Sequence, residues 1–212
     1  MNVEESSYSM LWPKLQDKWV RGDITNYQDA LSQLCSQIGV KSDNSAIVKL
    51  TVQEQGRLLR IFRRIEPEIT EMLGSLQRLG LKLGVVTNAH NLDTEPWSEC
   101  LLAQYFDVFI ASDEVGLVKP EPGIYFLACN QLGIRPSEAY FVGDGGSNEL
   151  SGAEQAGMKT YWWTWFLDKW PDGITPNTFV GGEWRERPRS RGAPHARVRN
   201  PEELISEITR TM

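Results

Sequence analysis

The chain has 212 residues, of which 41% are hydrophobic and 24% charged, a composition typical of a globular protein that buries a sizeable core. A formal net charge of −6 argues against a general nucleic-acid-binding protein. No apolar run approaches the roughly 18 residues that span a membrane, no signal peptide is apparent, and the three cysteines form no CxxC pair, so we expect reduced thiols in a cytoplasmic protein.

Residues 1 to about 65 are predicted to be helical, and no convincing strand occurs among them. Apolar residues recur there at the spacing of a helix that packs one face against a core. The apolar positions are Trp12, Leu15 and Trp19 in a first helix, Tyr27, Leu31 and Leu34 in a second, and the range Val52–Ile65 in a third.

From residue 66 onwards, short apolar runs alternate with helical patterns. The predicted strands are 81–87, 106–112, 139–144 and 158–165, and the predicted helices are 67–80, one that closes at 101–105, 123–133, 151–157 and 201–211. Strands that alternate with helices of this length predict an α/β fold with a parallel sheet covered on both faces. We therefore predict a helical subdomain over residues 1–65 and an α/β core over residues 66–212.

A segment rich in proline, glycine and arginine, residues 166–200, interrupts the predicted core. It contains the run RERPRSRGAPHARVR and is typical of a long surface loop. Two interpretations are open: a solvated segment, or a contact with an anion or a partner, because clustered guanidinium groups suit phosphates.

Polar side chains of complementary chemistry follow the predicted strands. Thr87 and Asn88 end the first strand, Lys119 lies in VGLVKPEPGIY just before a helix, and Asp144 ends the third strand, with Glu149 five residues later. Because ligands of an open parallel sheet bind at the carboxyl ends of its strands, we expect these side chains to gather at one edge. Each element alone has an ordinary reading as a turn, a surface lysine or a helix cap, so their order along successive strands is the specific signal.

These residues suit a phosphate that is bound together with a divalent cation. The Thr87 hydroxyl and the amides after it can donate to phosphoryl oxygens, and Lys119 can neutralise developing negative charge. Asp144 offers a hard oxygen ligand for Mg²⁺, and Glu149 can hold a metal-bound water or orient the loop. Glycines around Asp144 let the backbone approach the ion.

Two further features each have two interpretations. His90 follows the Thr87–Asn88 turn and is either a loop residue or a substrate contact. Trp162, Trp163 and Trp165 alternate partly with the period of a strand, which favours core packing, although a tryptophan near the Asp144 turn could also face a ligand.

Three stretches resemble motifs of the haloacid dehalogenase-like (HAD) superfamily of hydrolases, in the branch with a helical cap inserted after the first strand. LGVVTNAH is similar to the second motif of that family, VKPEPGIY to its lysine motif, and VGDGGSNELSGAEQAGM to its acidic fourth motif. The resemblance covers roughly residues 10–165, and Glu149 stands where the family more often has a second aspartate.

The resemblance implies a Rossmann-like three-layer core and Mg²⁺-dependent hydrolysis of a small phosphorylated molecule through an aspartyl-phosphate, although some members displace halide instead. It implies that Thr87 and Asn88 bind phosphate and that Lys119 stabilises the nucleophile and the phosphoryl group. Lys119 and Thr87 are therefore the candidate catalytic residues, and Asp144 and Glu149 are the candidate metal ligands.

The family nucleophile is the first aspartate of a DxDxT motif at the end of the first strand, and the 212 residues contain no D-x-D sequence. The resemblance thus implies a core that lacks its first, central strand, between residues 81–87 and 139–144, and a partial cap. Removing the nucleophile from a catalytic triad elsewhere lowers turnover on the order of 10⁶-fold, so we expect the chain as printed to be inactive or nearly so. Three outcomes are open for the place of the missing strand. Strands 81–87 and 139–144 pair directly with each other, or the gap between them is filled by another segment, a partner chain or a second copy. Otherwise the chain is unstable alone, because backbone groups of both strands stay unpaired.

Three functions are open on this basis. The chain is a HAD-like phosphatase whose sequence lacks its beginning, a non-catalytic module that binds phosphate or another ligand, or a split enzyme that a partner chain completes. The expected ligand is a small phosphorylated molecule, and neither nucleic acid nor a membrane is an expected partner.

Overall fold

The computed structural model describes residues 5–165 and 196–212. The chain divides into two compact units: the first comprises Met1–Ile65, Thr87–Gln104 and Ile110–Val118, and the second comprises Glu66–Val86, Tyr105–Phe109 and Lys119–Met212. Within the described ranges, no helix is both long and apolar enough to cross a membrane. The division into residues 1–65 and 66–212 that the sequence suggests stays a prediction.

Three helices form the N-terminal part of the first unit, and the predicted helical character of this part is confirmed. They are α1 (Glu5–Val20), α2 (Tyr27–Gln37) and α3 (Asn44–Phe62). Asn26 and Asp43 cap α2 and α3, because each side chain accepts a hydrogen bond from a backbone N–H of the first turn. The buried residues that α1, α2 and their connection share are Trp12, Leu15, Trp19, Ile24, Ala30 and Leu34. Residues 5–65 contain no strand, as predicted.

Strands and helices alternate along the rest of the chain. In chain order the elements are α4 (Pro67–Arg78), β1 (Gly84–Thr87), α5 (Asn91–Thr94), β2 (Val108–Ala111), α6 (Ser112–Val115), α7 (Pro122–Leu132), β3 (Tyr140–Gly143), α8 (Glu149–Gln155), β4 (Lys159–Trp163), β5 (Ala196–Val198) and α9 (Pro201–Thr211). Short 3-10 turns occupy Glu95–Glu99, Ala103–Tyr105, Pro136–Glu138 and Gly146–Asn148. The four predicted strands are confirmed, each shorter than the sequence suggests.

The described strands form two sheets. β1 and β2 make a two-stranded sheet, and β3, β4 and β5 make a three-stranded sheet in that order. Both pairings of the three-stranded sheet are parallel, with Gly143 opposite Trp162 and Trp162 opposite Arg197. The predicted α/β fold with parallel pairing is therefore confirmed. Among the described strands β1 and β3 do not pair with each other, so the structure does not contain the direct pairing that was one of the open outcomes.

Two segments differ from the sequence prediction. The helix predicted to close at residues 101–105 is replaced by two 3-10 turns, because Pro96 fits only the first turn of a helix and Cys100 has an extended backbone. Residues 196–198 form β5 instead of part of a loop, and Val198 within it is fully buried. Residues 166–195 of the predicted loop lie outside the described residues.

Helix α8 begins directly after the Asp144 turn and packs against β3, β4 and α7. A Cβ added at Gly152 of α8 would lie 2.8 Å from the Cα of Pro120 and closer still to the Pro120 carbonyl oxygen. Side-chain carbons do not approach backbone atoms this closely, so glycine at position 152 is what lets α8 lie against the segment that carries Lys119.

Gly152→Ala is expected to destabilise the chain by about 1–3 kcal/mol, because the added methyl group meets rigid backbone. Gly74→Ala in α4 is the matched control, since its methyl group would meet the flexible end of Arg78 at 3.4 Å. Helix propensity should make that control neutral or stabilising by about 0.5–1 kcal/mol. Urea unfolding followed by circular dichroism measures both, and equal stability of the two variants would contradict the close packing at Gly152.

Candidate functional site

A buried ion pair joins Lys119 and Glu149 in the second unit. Lys119 Nζ lies 2.6 Å from Glu149 Oε2, and the two side chains are only 13% and 7% exposed. Burial raises the pKa of the Glu149 carboxyl, and the neighbouring Lys119 ammonium opposes that shift. Each charge is removed from water and depends on the other, so the pair fixes the two side chains against each other.

The remaining polar atoms of Glu149 are also bonded. Its Oε1 accepts a hydrogen bond from the Gly145 N–H at 3.2 Å, and its main-chain oxygen accepts one from the Tyr125 hydroxyl at 2.8 Å. A Cβ at Gly143 would lie 2.7 Å from the Glu149 carboxyl carbon, so the carboxylate occupies the space beside that glycine. Glu149 thereby ties the end of β3 to the start of α8.

The Asp144 turn lies between β3 and α8. Gly145 has a φ of +91°, and Ser147 and Asn148 have φ values of +52° and +51°, in the left-handed region that non-glycine residues seldom adopt. The Asp144 side chain is exposed and its Oδ1 accepts the Gly146 N–H at 2.8 Å. Left-handed non-glycine residues concentrate at functional turns, and here they accompany a solvent-facing carboxylate.

The donor chemistry of this turn fits Mg²⁺ through Asp144. Mg²⁺ commonly takes one or two carboxylates from the protein and completes its octahedron with water and substrate phosphate. Both carboxylate oxygens of Glu149 are already bonded within the chain, which suits a role in orienting the turn better than direct ligation. Among residues 5–165 and 196–212, no three or more His, Cys, Asp or Glu side chains are grouped so that they could hold a metal ion.

Thr87 and Asn88 belong to the first unit. Thr87 is the last residue of β1, and both side chains are half-buried. The next residue is held by Ser112 at the start of α6: the Ala89 N–H donates to Ser112 Oγ at 3.1 Å, and Ser112 Oγ donates to the Ala89 oxygen at 3.1 Å. Ser112 is fully buried, and its hydroxyl therefore fixes the backbone that follows Thr87 and Asn88.

The structure thus brings three of the five predicted site residues together in one unit, namely Lys119, Asp144 and Glu149. Sequence reasoning missed Ser112, which ends the run FDVFIAS. The rule that singled out Thr87 and Asp144, a polar residue at the end of an apolar strand, would also have found it. The pairing of Lys119 with Glu149 was missed as well, because 30 positions separate the two residues in the sequence.

His90 is packed within the first unit and is neutral at pH 7. Its ring stacks on Trp19 with ring centroids 3.5 Å apart, and its Nε2 lies 3.2 Å from Asp93 Oδ2. Burial lowers the pKa of His90 to about 4, against an opposing effect of Glu54. Burial raises the pKa of Asp93 to about 6. His90 is therefore a packing residue of the turn that follows Asn88.

Breaking the buried pair should cost far more than breaking an exposed one. Lys119→Met leaves the Glu149 carboxylate buried without its cation, so we expect a loss of about 3–5 kcal/mol in the free energy of unfolding. Arg135→Met is the matched control, because the Arg135–Glu138 pair at 2.8 Å is 78% and 47% exposed, and water screens such a pair so that its loss should cost far less than the loss of the buried one.

Chemical denaturation of the parent chain, Lys119→Met, Glu149→Gln and the double variant forms a double-mutant cycle for the ion pair. The double variant should lose less stability than the sum of the two single losses, because the second change removes a charge that the first left unpaired. Additive losses would show that the two side chains do not depend on each other.

The stability of the chain should depend on pH through His90. The unfolded chain protonates His90 below its ordinary pKa of 6.5 and the folded chain only near 4, so His90 makes the free energy of unfolding fall as the pH falls from 6.5 to 4. Asp93 acts in the opposite sense between pH 3.8 and 6, because its pKa is raised, but its side chain is 38% exposed and water screens the effect.

His90→Gln should remove on the order of 1 kcal/mol of this dependence relative to the parent chain. Asp93→Asn should steepen the dependence instead, because it removes the opposing group. Urea unfolding at pH 4.5, 5.5 and 6.5 measures the free energy of unfolding of the parent chain and both variants. If it changed with pH in the same way in all three proteins, His90 and Asp93 would not be the groups that cause the pH dependence.

Comparison with known proteins relates the chain to phosphatases. The model of the haloacid dehalogenase-like hydrolases matches residues 18–157. Glyceraldehyde 3-phosphate phosphatase of Methanopyrus kandleri is 35% identical over 97 residues, which cover 44% of this chain and 41% of that protein. Phosphoglycolate phosphatase of Escherichia coli K12 is 36% identical over 121 residues, 51% of this chain and 48% of that protein. The chain therefore spans about half the length of the curated relatives it matches.

A solved structure of similar fold is that of a 2-haloacid dehalogenase from Pseudomonas syringae pv. Tomato. Its TM-score is 0.67 at 22% sequence identity, and the match covers 100% of this chain and 83% of that one. At this identity the likeness shows a shared fold. The family match extends over more than half of the chain and includes Lys119, Asp144 and Glu149. The chain belongs to the family of haloacid dehalogenase-like hydrolases.

Proposed function

We propose that this chain is a phosphatase-type member of its family, which binds a small phosphorylated molecule together with Mg²⁺. The observation that carries this proposal is the ion pair of Lys119 with Glu149, 2.6 Å long and nearly buried, beside an exposed aspartate on a glycine-rich turn. Such a site offers an ammonium for phosphoryl oxygens and a carboxylate for a cation within one unit.

Lys119 is the proposed phosphate-neutralising group. Glu149 holds its ammonium at a fixed place, and the Lys119 Nζ also lies 5.9 Å from the centre of the Phe141 ring. A cation that is positioned before the ligand arrives needs little reorganisation, which is the condition under which electrostatic stabilisation of a phosphoryl group is strong.

Asp144 is the proposed metal ligand, and Glu149 is proposed to orient its turn. When bound there, Mg²⁺ would neutralise charge on phosphoryl oxygens. The Gly146 N–H fixes one Asp144 oxygen, and the exposed position of the side chain leaves the carboxylate accessible to a hydrated ion.

Thr87 and Asn88 are proposed to donate hydrogen bonds to phosphate. Support comes from the buried Ser112 hydroxyl, which bonds both backbone groups of Ala89 and so holds the turn in one conformation. A hydroxyl and an amide on a fixed turn are suitable donors for phosphoryl oxygens.

The proposed ligand class is a small phosphorylated metabolite. The two relatives described above are 35–36% identical to this chain over the matched residues, and their names give glyceraldehyde 3-phosphate and phosphoglycolate as their substrates. The dehalogenase likeness, at 22% identity, concerns the fold alone. Phosphate is therefore favoured over a halogenated acid as the group bound beside Lys119.

A second candidate function is ligand binding with little or no turnover. It concerns the 212 residues as printed, which contain no D-x-D sequence, because the family reaction needs an aligned carboxylate nucleophile. We therefore expect measurable binding of phosphate by this chain and very slow hydrolysis, which a partner chain that supplies the nucleophile would accelerate.

Calorimetric titration with inorganic phosphate, with and without Mg²⁺, tests the proposal. In Mg²⁺, Asp144→Asn should weaken phosphate binding by about 10-fold or more, because the bridging ion is lost. Without Mg²⁺ the same change should not weaken binding, since it removes a negative charge. Glu202→Gln, which neutralises an exposed acid in the first turn of α9, should have no effect under either condition.

A phosphate affinity that changes neither on addition of Mg²⁺ nor in Asp144→Asn would contradict the proposal. Hydrolysis of an aryl phosphate, phosphoglycolate and a 2-chlorinated acid, measured in parallel, separates the two candidates. Fast phosphate release that Asp144→Asn abolishes would overturn the expectation of slow turnover, and release of chloride would overturn the choice of phosphate.

A further inference from the structure

Trp162 lies on β4, beside the strand that ends in the Asp144 turn. In the parallel register it is opposite Gly143, the residue before Asp144. Its indole N–H donates a hydrogen bond of 3.0 Å to the main-chain oxygen of Asp144. The register of two neighbouring strands thus places a side-chain donor on the backbone of the residue proposed to bind Mg²⁺.

Two hydrogen bonds hold Asp144 in place. The indole of Trp162 fixes its carbonyl group, and the Gly146 N–H fixes its carboxylate at 2.8 Å. Between them Gly145 has a left-handed backbone, with a φ of +91°, so the chain turns sharply just after the carbonyl. Because the Asp144 side chain itself is exposed, its direction depends on how firmly this backbone is held.

Arg197 on β5 covers the Trp162 ring. It is opposite Trp162 in the register of β4 and β5, and its guanidinium carbon lies 5.2 Å from the centre of the indole ring. Its Nε also donates to the hydroxyl of the fully buried Thr164 at 2.9 Å. A guanidinium that is anchored in this way restrains the plane of the ring through a cation–π contact.

We infer that Trp162 is a positioning residue for Asp144 and that Arg197 restrains the Trp162 ring for this purpose. The inference rests on the proposed function of Asp144 as a Mg²⁺ ligand. Groups that hold a metal ligand without touching the metal change metal affinity by about 10–100-fold when they are removed.

The neighbouring Trp163 supplies the contrast between positioning and packing. It lies on the opposite face of β4, is 8% exposed, and packs edge-on against Trp165 with ring centroids 5.9 Å apart. Trp162 is half-buried, and its polar edge meets the Asp144 turn. Equivalent substitutions at these two adjacent positions therefore separate an effect on the turn from an effect on the core.

Binding of Mn²⁺ alone, followed by loss of the free-ion signal in electron paramagnetic resonance, tests the inference without any need for turnover. Mn²⁺ suits the same oxygen ligands as Mg²⁺. Trp162→Phe keeps a ring beneath Arg197 and removes only the indole donor, so we expect affinity about 10-fold weaker. Arg197→Gln should weaken it about 2–3-fold through a looser ring. Trp163→Phe should lower the melting temperature and leave the affinity unchanged.

The outcomes distinguish this inference from the proposed function. If the parent chain binds Mn²⁺ no better than Asp144→Asn does, the proposed function fails. If Asp144→Asn abolishes binding but Trp162→Phe binds like the parent, the positioning role is overturned and the proposed function stands. An unchanged affinity in Arg197→Gln overturns the role of the guanidinium alone.

A measurement on the parent chain keeps the inference testable where Trp162→Phe fails to fold. In ¹⁵N-labelled protein, the indole N–H resonance of Trp162 should exchange slowly with D₂O and shift on addition of Mg²⁺. An indole signal that exchanges fast, or that does not move while other signals of the Asp144 turn do, would overturn the role assigned to Trp162.

Discussion

The buried ion pair of Lys119 and Glu149 is the interaction on which the geometry of this turn depends. A lysine just before α7 and a glutamate at the start of α8 meet with both side chains almost removed from water. Charges in that position are tolerated only when their partners are fixed. Glycine is needed at positions 143 and 152 for the same packing. A Cβ at Gly143 would meet the Glu149 carboxylate, and a Cβ at Gly152 would meet the backbone of Pro120, next to Lys119. The pair therefore decides how closely α8, β3 and the lysine segment pack.

The same pair determines which carboxylate is left for a ligand. Glu149 uses both of its side-chain oxygens inside the chain, whereas Asp144, five positions earlier, faces solvent. Two acids on one turn thus have different environments and different proposed roles, one in holding the turn and one in binding a cation. The indole of Trp162 extends this arrangement across the sheet, since it connects the Asp144 backbone with β4 and, through Arg197, with β5.

Local patterns predicted most of the elements, and two segments were not predicted correctly. The helices of residues 5–65 and the strands that end near Thr87 and Asp144 follow from apolar spacing, and the structure adds the caps Asn26 and Asp43. β5 escaped prediction because three residues are too few to show a period and its flanks are rich in proline and arginine. The turns around Pro96 and Cys100 escaped because a helical apolar pattern does not reveal where the backbone becomes extended.

The sequence predicted the candidate site only in part, because some of its contacts join residues that are far apart in the chain. The residue types at the strand ends pointed to a cation with a phosphate, but which acid pairs with Lys119 depends on how α8 packs. The strand register that places Trp162 beside Gly143 depends likewise on pairing across 19 positions of sequence. Ser112 was within reach of the strand-end rule, which was applied to the ends of strands 81–87 and 139–144 and not to the end of strand 106–112. The residue types therefore predict which kind of ligand the site binds, whereas the packing of the chain determines which acid pairs with Lys119 and which stays exposed.

Anomalous diffraction from crystals of the chain soaked in Mn²⁺ and inorganic phosphate would locate both ions relative to Lys119, Asp144 and Glu149. We expect a Mn²⁺ peak about 2 Å from a carboxylate oxygen of Asp144, phosphate density against the Lys119 ammonium, and an intact contact between Lys119 and Glu149. A metal ion ligated by Glu149 after its separation from Lys119, or phosphate bound away from Lys119, would contradict this expectation.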